Sequence, residues 1–425
     1  MAEADITSTS AAASPSPPVR PQPLGLFPLP LGYLLIPAGA DTEAVRREML
    51  AGRLPQTWPP ALHAHALALG GQREAAIAAL RSGADDPVTR YNRFVLDPAG
   101  EDPDSLRGAL GEFAVLVDIV LFMLGRSELP PECGAADGEL AAAVLAAQAT
   151  RALDDGESET AIGLLDRAIE AALPACAPLA GVLLGAAAAI CRDTADPSCE
   201  ARLRRALRAL DGADGLHTAR AEIHLCLATV LHEQAQSNPA LLAKAIPHYH
   251  SALQLITRDD APLVWAAAHA GLAAAYLTMP MVEASSQLRL GVAAQSLRSA
   301  LTVYTRDQHP REWASVQLNL ANSLVYTPSR HHADNLVEAV ELYEGVLATR
   351  DRATDPLGRA RVLANQGNVL AHLGVFDDAK AKLYEARFLF EELGDNESVR
   401  AVRGVLDEIA RQTMLSKTNG NGRAS

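Results

Sequence analysis

The chain has 425 residues, with 37 Lys and Arg against 51 Asp and Glu, which gives a net charge of −14. This acidic balance argues against binding along a nucleic-acid backbone, because such binding normally needs positive charge. Hydrophobic residues make up 49% of the chain but aromatic residues only 4%, so we expect closely packed helices with a core of Ala, Leu and Val.

The start of the chain has no helical pattern. Residues 1–23 are rich in Ser, Ala and Pro, and we expect them to form a disordered tail. No Lys or Arg precedes Arg20, so a signal peptide is not expected and the simplest location is the cytoplasm. Residues 24–40 are apolar but interrupted by prolines, and we expect an extended strap packed on the first helices. The alternative is a segment that docks a partner.

Residues 41–130 are predicted to form an N-terminal helical region. A first helix is expected to begin at Asp41, and a helical hairpin is expected over residues 60–80 with its turn at Gly70. A single helix is predicted from Asp104 to Leu124. Its second half is apolar nearly all round, which indicates burial on several sides.

Residues 138–412 are predicted to form a repeat array. Two compact hairpins are expected first, and their helices lie at 145–153 with 160–172 and at 179–190 with 201–210. The tripeptide Thr-Arg-Asp then recurs at steps of 48 and 44 residues, starting at Thr257, Thr305 and Thr349. A proline soon follows each copy, so each unit is predicted to end a helix and to begin the next at the proline.

Four segments of the array align at steps of 45, 48 and 46 residues. The aligned dipeptides are Leu227-Ala228, Leu272-Ala273, Leu320-Ala321 and Gln366-Gly367. Seven residues before the first member of each dipeptide stand Arg220, Trp265, Trp313 and Arg359. The last amphipathic helix of the chain is predicted to cap the array. Residues 413–425 are expected to form a flexible tail.

A family resemblance follows from these motifs. Residues 310–324 read Pro-Arg-Glu-Trp-Ala-Ser-Val-Gln-Leu-Asn-Leu-Ala-Asn-Ser-Leu, and residues 359–368 contain a partly degenerate copy. This segment resembles the first helix of a tetratricopeptide repeat, of the lengthened bacterial type with Pro-x-x-Trp-Ala and Asn-Leu-Gly-Asn. Ala321 stands where that family usually has Gly. The resemblance implies an all-α fold, a right-handed α-solenoid of antiparallel helix hairpins whose first helices line a concave, peptide-binding groove.

Polar residues on these first helices are the candidate binding residues. Pairs of asparagines three positions apart share one helix face, where their amides can bond a peptide backbone or a carboxylate. The alternative is that one Asn of each pair ties neighbouring repeats together. Arginines nearby are candidates to bind an acidic ligand or are solubilising surface residues. The candidate residues are Asn319, Asn322, Asn365, Asn368, Arg311, Arg359 and Arg361.

Metal, cofactor and catalytic sites are not expected. The His63/His65 and His248/His250 pairs are two residues apart, a spacing that does not place two ligands on one helix face. His331 and His332 fall in a predicted loop. The five cysteines have no metal-type spacing and form no disulfide framework. The chain lacks a phosphate-binding loop, a nucleophile elbow and an HExxH helix.

The function predicted from these observations is a noncatalytic scaffold or adaptor that binds a partner protein or peptide in the groove. An assembly chaperone for a bacterial enzyme complex is an alternative. An alternative of another class is an all-helical hydrolase or lyase, which requires two inward carboxylates with raised pKa values in a deep pocket. Neither nucleic-acid binding nor membrane insertion is expected. The oligomeric state stays open.

Overall fold

The computed structural model describes residues 17–25, 34–279, 286–326 and 332–421. These residues form helices joined by turns and short extended segments, so the predicted all-α class of stacked helix hairpins is confirmed. The chain divides into two compact units, Met1–Leu227 and Ala228–Ser425. Among the described residues, no helix combines the length and apolar character needed to span a bilayer.

Unit 1 contains an irregular set of short helices followed by regular hairpins. The short helices are α1 (Ala40–Leu50), α2 (His63–Leu69), α3 (Arg73–Ser82), α4 (Pro87–Leu96), α5 (Pro103–Leu110) and α6 (Val115–Met123). The longer helices are α7 (Gly138–Asp154), α8 (Ser158–Ala175), α9 (Ala177–Asp193) and α10 (Cys199–Ala209). Each of these longer helices packs on the next, and short turns make the neighbours antiparallel. The boundary of unit 1 falls within α11 (His217–Gln234).

Unit 2 contains the last three of the four aligned segments. Its helices are α12 (Leu242–Leu255), α13 (Pro262–Thr278), α14 (Ser286–Leu301), α15 (Pro310–Tyr326), α16 (His332–Leu347), α17 (Pro356–His372), α18 (Phe376–Glu392) and α19 (Asn396–Asn421). Three first helices begin at the prolines that follow Thr-Arg-Asp, as predicted, because proline fits the first position of a helix.

Small residues at the aligned positions allow the helices of each repeat to approach closely. Ala228, Ala273 and Ala321 are fully buried. A Cβ added to Gly367 would lie 2.6 Å from Cγ of Leu383, so α17 and α18 can cross only with a residue as small as Gly there. The aligned dipeptides therefore mark buried positions where the helices pack closely.

The first helices of unit 2 form the inner side of the stack. In addition to the contacts between consecutive helices, α13 contacts α15, α15 contacts α17 and α17 contacts α19. Among the described residues, the second helices α14, α16 and α18 make no comparable contacts with one another. We call the side on which these first helices contact one another the inner side of unit 2.

The N-terminal segment differs from the expectation of a disordered tail over its last seven residues, 17–23. Arg20 bonds the buried Glu139 (Nε to Oε1, 3.0 Å) and Glu112 (Nη1 to Oε2, 2.9 Å). Gln22 is fully buried and its backbone N–H donates to Glu139. These residues are ordered because they neutralise a carboxylate that α7 buries. The rest of the predicted tail, residues 1–16, lies outside the described residues.

The described part of the strap is held by side-chain amides. Leu34, Leu35 and Ile36 are buried. Asn92 on α4 accepts from the N–H of Leu35 and donates to its carbonyl, both at 2.8 Å. Gln22 bonds Ile36 in the same reciprocal way, at 3.0 Å. This part of the strap therefore has a structural role. Residues 26–33 lie outside the described residues.

Two helix predictions need correction. The single helix predicted from Asp104 to Leu124 is broken at Gly111, whose positive φ of 58° ends α5. Glycine adopts this backbone conformation without strain, so the chain can turn before α6 begins. The flexible tail predicted from residue 413 is also shorter, because α19 continues to Asn421. The final residues, 422–425, lie outside the described residues.

Candidate functional site

The predicted asparagines lie on the inner side of unit 2, but they differ in their contacts. Asn322 on α15 accepts two hydrogen bonds at its Oδ1, from the hydroxyl of Tyr343 at 2.6 Å and from Nδ2 of Asn365 at 3.2 Å. The second bond joins neighbouring repeats, as in the alternative interpretation of these residues. Asn319 and Asn368 make no side-chain hydrogen bond to the described residues.

A pocket of about 240 Å³ lies between α17 and α19. Arg361, Asn365 and Asn368 contribute its polar side on α17, and Ser398 contributes from α19. The remaining wall is apolar and consists of Ala364, Leu383, Phe390, Ala401, Val402 and Val405. Three of the seven candidate residues are thus brought together in one concave site.

The pocket carries a local positive charge. Arg361 is exposed and forms no ion pair within 4 Å among the described residues. Hydrogen bonds from Ser398 lower the pKa of Asp395, and the nearby Arg361 guanidinium adds to that shift. Asp395 already accepts from the N–H and the hydroxyl of Ser398 at the start of α19. Because Asp395 is bonded to Ser398, the N–H groups of the Arg361 guanidinium remain exposed to solvent.

The other two arginines lie outside this pocket. The guanidinium of Arg359 forms hydrogen bonds within the protein. Its Nε donates to Glu385 at 2.9 Å and its Nη1 donates to the carbonyl oxygen of Arg350 at 3.1 Å. These bonds hold the start of α17 against α18 and the turn after α16, so we assign Arg359 a structural role. Arg311 is exposed at the start of α15 and is not part of the pocket.

Sequence reasoning missed the contributions of Tyr343 and Ser398. Tyr343 is buried on α16, and a buried tyrosine hydroxyl usually needs a partner. Burial raises its pKa, so the hydroxyl stays protonated and donates to Asn322. Ser398 carried no signal, because its role depends on how α19 packs against α17.

The histidines and cysteines do not gather into a metal centre in the described part of the chain, where no three His, Cys, Asp or Glu side chains have a suitable arrangement. His65 is buried and its Nε2 lies 3.0 Å from the carbonyl oxygen of Leu35. Burial lowers the pKa of His65 to about 4, so it is neutral at pH 7. His250 Nε2 lies 3.0 Å from the hydroxyl of Tyr276. His331 lies outside the described residues.

No protein-family model matches the sequence, and neither does any curated protein. Among solved structures, the chain is similar to a Rap protein complexed with competence and sporulation factor, with 15% identity and a TM-score of 0.42 over 82% of this chain and 96% of that chain. It is also similar to a human IFIT1 dimer with PPP-AAAA, with 15% identity and a TM-score of 0.33 over 78% of this chain and 73% of that chain. A third similar structure is the P58(IPK) TPR domain, with 15% identity and a TM-score of 0.26 over 83% of this chain and 97% of that chain. These values are too low to transfer a ligand from any of these proteins to this chain.

Proposed function

We propose that this protein is a noncatalytic scaffold or adaptor that binds a segment of a partner polypeptide on the inner side of unit 2. The observation that carries the proposal is the pocket between α17 and α19. There Arg361, Asn365 and Asn368 have unused hydrogen-bonding groups beside an apolar wall.

This combination suits an extended peptide. Asn368 offers two N–H donors and a C=O acceptor, and Asn365 keeps one N–H and its C=O; these groups match the N–H and C=O groups of a peptide backbone. Arg361 offers fixed donors to a carboxylate or to a backbone carbonyl. The apolar wall between α17 and α19 accepts a hydrophobic side chain, which contributes most of the affinity in such interfaces.

Two narrower parts of the proposal rest on the sequence. The Pro-x-x-Trp-Ala motif favours a tetratricopeptide repeat of the lengthened bacterial type. The net charge of −14 favours a polypeptide over nucleic acid as the partner.

A chaperone and a scaffold differ in whether they remain in the finished complex. A chaperone copurifies with an immature subunit and is absent from the completed assembly, whereas a scaffold remains in it. The hydrolase alternative needs two acids with raised pKa values in one pocket. Among the acids of the described residues, Glu222 has a pKa that is clearly raised, and it has no second acid beside it in its pocket.

The proposal is tested by affinity capture and quantitative mass spectrometry with the double variant Arg361→Ala, Asn368→Ala. We expect roughly a tenfold loss of the principal captured protein, which corresponds to about 1.4 kcal/mol. The melting curve should not change, because neither side chain makes a bond within the fold. The matched control is the double variant Arg311→Ala, Asn319→Ala on α15, outside the pocket. It should lose much less of the captured protein. Unchanged capture by the first variant would reject the site.

A further inference from the structure

A second pocket lies in unit 1, between α9 and α11, and its volume is about 330 Å³. This volume is at the lower edge of the range of roughly 300–1,000 Å³ found for small-ligand sites, and it suits one long side chain. Its walls are mostly small or apolar, and they consist of Val182, Gly185, Ala186, Ala189, Leu203, Ala219 and Ile223. Ala186 and Ala189 are solvent-exposed, so the pocket is open at the surface.

Glu222, which is partly open to solvent, supplies a carboxylate to this pocket, and Arg192 and Cys226 are its other polar lining residues. No cation of the described residues lies within 4 Å of it, and desolvation by the pocket walls raises its pKa. The nearby Arg192 does not neutralise it, because that guanidinium is paired with Asp193 at 2.8 Å and donates to Sγ of Cys226 at 3.9 Å. An unpaired carboxylate in such surroundings gains stability from an added cation.

The same register position carries opposite charges in the two pockets. Glu222 stands five residues before Leu227, and Arg361 stands five residues before Gln366, the aligned residue of α17. Ala267 and Ser315 occupy this position in the repeats between them. The charge at this position therefore differs from repeat to repeat on a common backbone.

We infer that the pocket between α9 and α11 binds a lysine side chain of a partner polypeptide. The aliphatic stem lies along Ala186 and Ala189, and the ammonium group donates to the carboxylate of Glu222. Lysine fits better than arginine, because a single carboxylate matches a compact ammonium group, whereas a guanidinium is suited to bidentate partners. This inference rests on the proposed function, since it assumes a polypeptide partner.

The test uses an array of immobilised random dodecapeptides probed with the full chain. We expect peptides containing lysine to be enriched with the wild-type protein, and the enrichment to fall roughly tenfold with Glu222→Gln, the effect of losing one charge-assisted contact. Glu233→Gln is the control, because it removes the same charge from a position farther along α11 that does not line the pocket. Copies of the best peptides with norleucine in place of lysine, which keep the stem without the charge, should bind as weakly to wild type as the lysine peptides bind to Glu222→Gln.

A second variant, Ala189→Leu, tests the pocket rather than the charge. The larger side chain fills an exposed part of the wall, so it should remove the lysine preference and leave the melting temperature unchanged. An equal preference of wild type and Glu222→Gln for lysine-containing peptides would overturn the inference while leaving the proposed function intact. The same holds if copies of the best peptides with arginine in place of lysine bind the wild type equally well. A wild-type protein that binds no peptide on the array would overturn both.

Discussion

The first helices of unit 1 and the repeats of unit 2 are stabilised in different ways. Residues 17–123 depend on polar contacts between segments far apart in the chain, such as Arg20 with Glu139 and Asn92 with Leu35. The repeats depend on small residues at regular spacing, such as Ala321 and Gly367, and on bonds between adjacent helices. A contact that recurs in every repeat leaves the same residue type at regular spacing in the sequence. A single contact between distant segments leaves no such pattern.

The largest expected effect is that of Arg20→Ala in the irregular part of unit 1. The substitution leaves the carboxylate of Glu139, which is 1% exposed, without its cation. Removing one partner of a buried ion pair costs about 3–5 kcal/mol. The free energy of unfolding from urea titrations measures this loss.

Arg151→Ala is the control for this substitution. It breaks an exposed pair with Asp155 on the regular helix α7, and should cost less than about 1 kcal/mol. Equal losses of unfolding free energy in the two variants would mean that Arg20 stabilises unit 1 no more than an exposed ion pair does. Glu139→Gln should recover part of the stability of Arg20→Ala, because it removes the unpaired charge.

This difference explains what could be predicted from the sequence. The aligned dipeptides fall on Ala228, Ala273 and Ala321, which are all fully buried, because close helix packing favours a small residue in every repeat. The break at Gly111 was missed, because an isolated glycine is also tolerated inside a helix. The bond from Arg20 to Glu139 was missed, because 119 residues separate them and neither belongs to a motif.

The candidate pocket was predictable to a similar extent. The spacing of Asn365 and Asn368 placed both amides on one helix face, and both line the pocket. The sequence did not separate Arg361, which faces solvent, from Arg359, which binds Glu385. That separation depends on the packing of α17 against α18, and a single helix pattern does not contain it.

The second prediction concerns the small residues of the repeats. Ala321→Leu adds three carbons at a fully buried helix crossing in α15, and overpacking of this kind costs about 1–3 kcal/mol. Ala381→Leu on the exposed face of α18 is the control, and should change the free energy of unfolding by no more than about 0.5 kcal/mol. If Ala321→Leu melts like the wild type, then the aligned dipeptide of α15 does not mark a closely packed helix crossing.

The smallest expected effect is that of Asn322→Ala, which tests the polar bonds between repeats. The substitution removes the acceptor of the buried Tyr343 hydroxyl and of Nδ2 of Asn365. An unsatisfied buried hydroxyl costs about 1–3 kcal/mol. We expect the lower end, because the bond between Tyr343 and Asn322 is only partly buried and Asn365 can bond water instead. Asn368→Ala should leave stability unchanged, since Asn368 makes no such bond.

A double-mutant cycle with Tyr343→Phe separates the bond to Tyr343 from other effects of the substitution. If Asn322 stabilises the fold through that hydroxyl, Tyr343→Phe should destabilise the wild type more than it destabilises Asn322→Ala, because in the variant the hydroxyl is already without its acceptor. The free energies of unfolding of the four proteins would then differ from additivity by about 1 kcal/mol. Strict additivity would mean that the hydrogen bond between the Tyr343 hydroxyl and Asn322 contributes nothing to the stability of the fold.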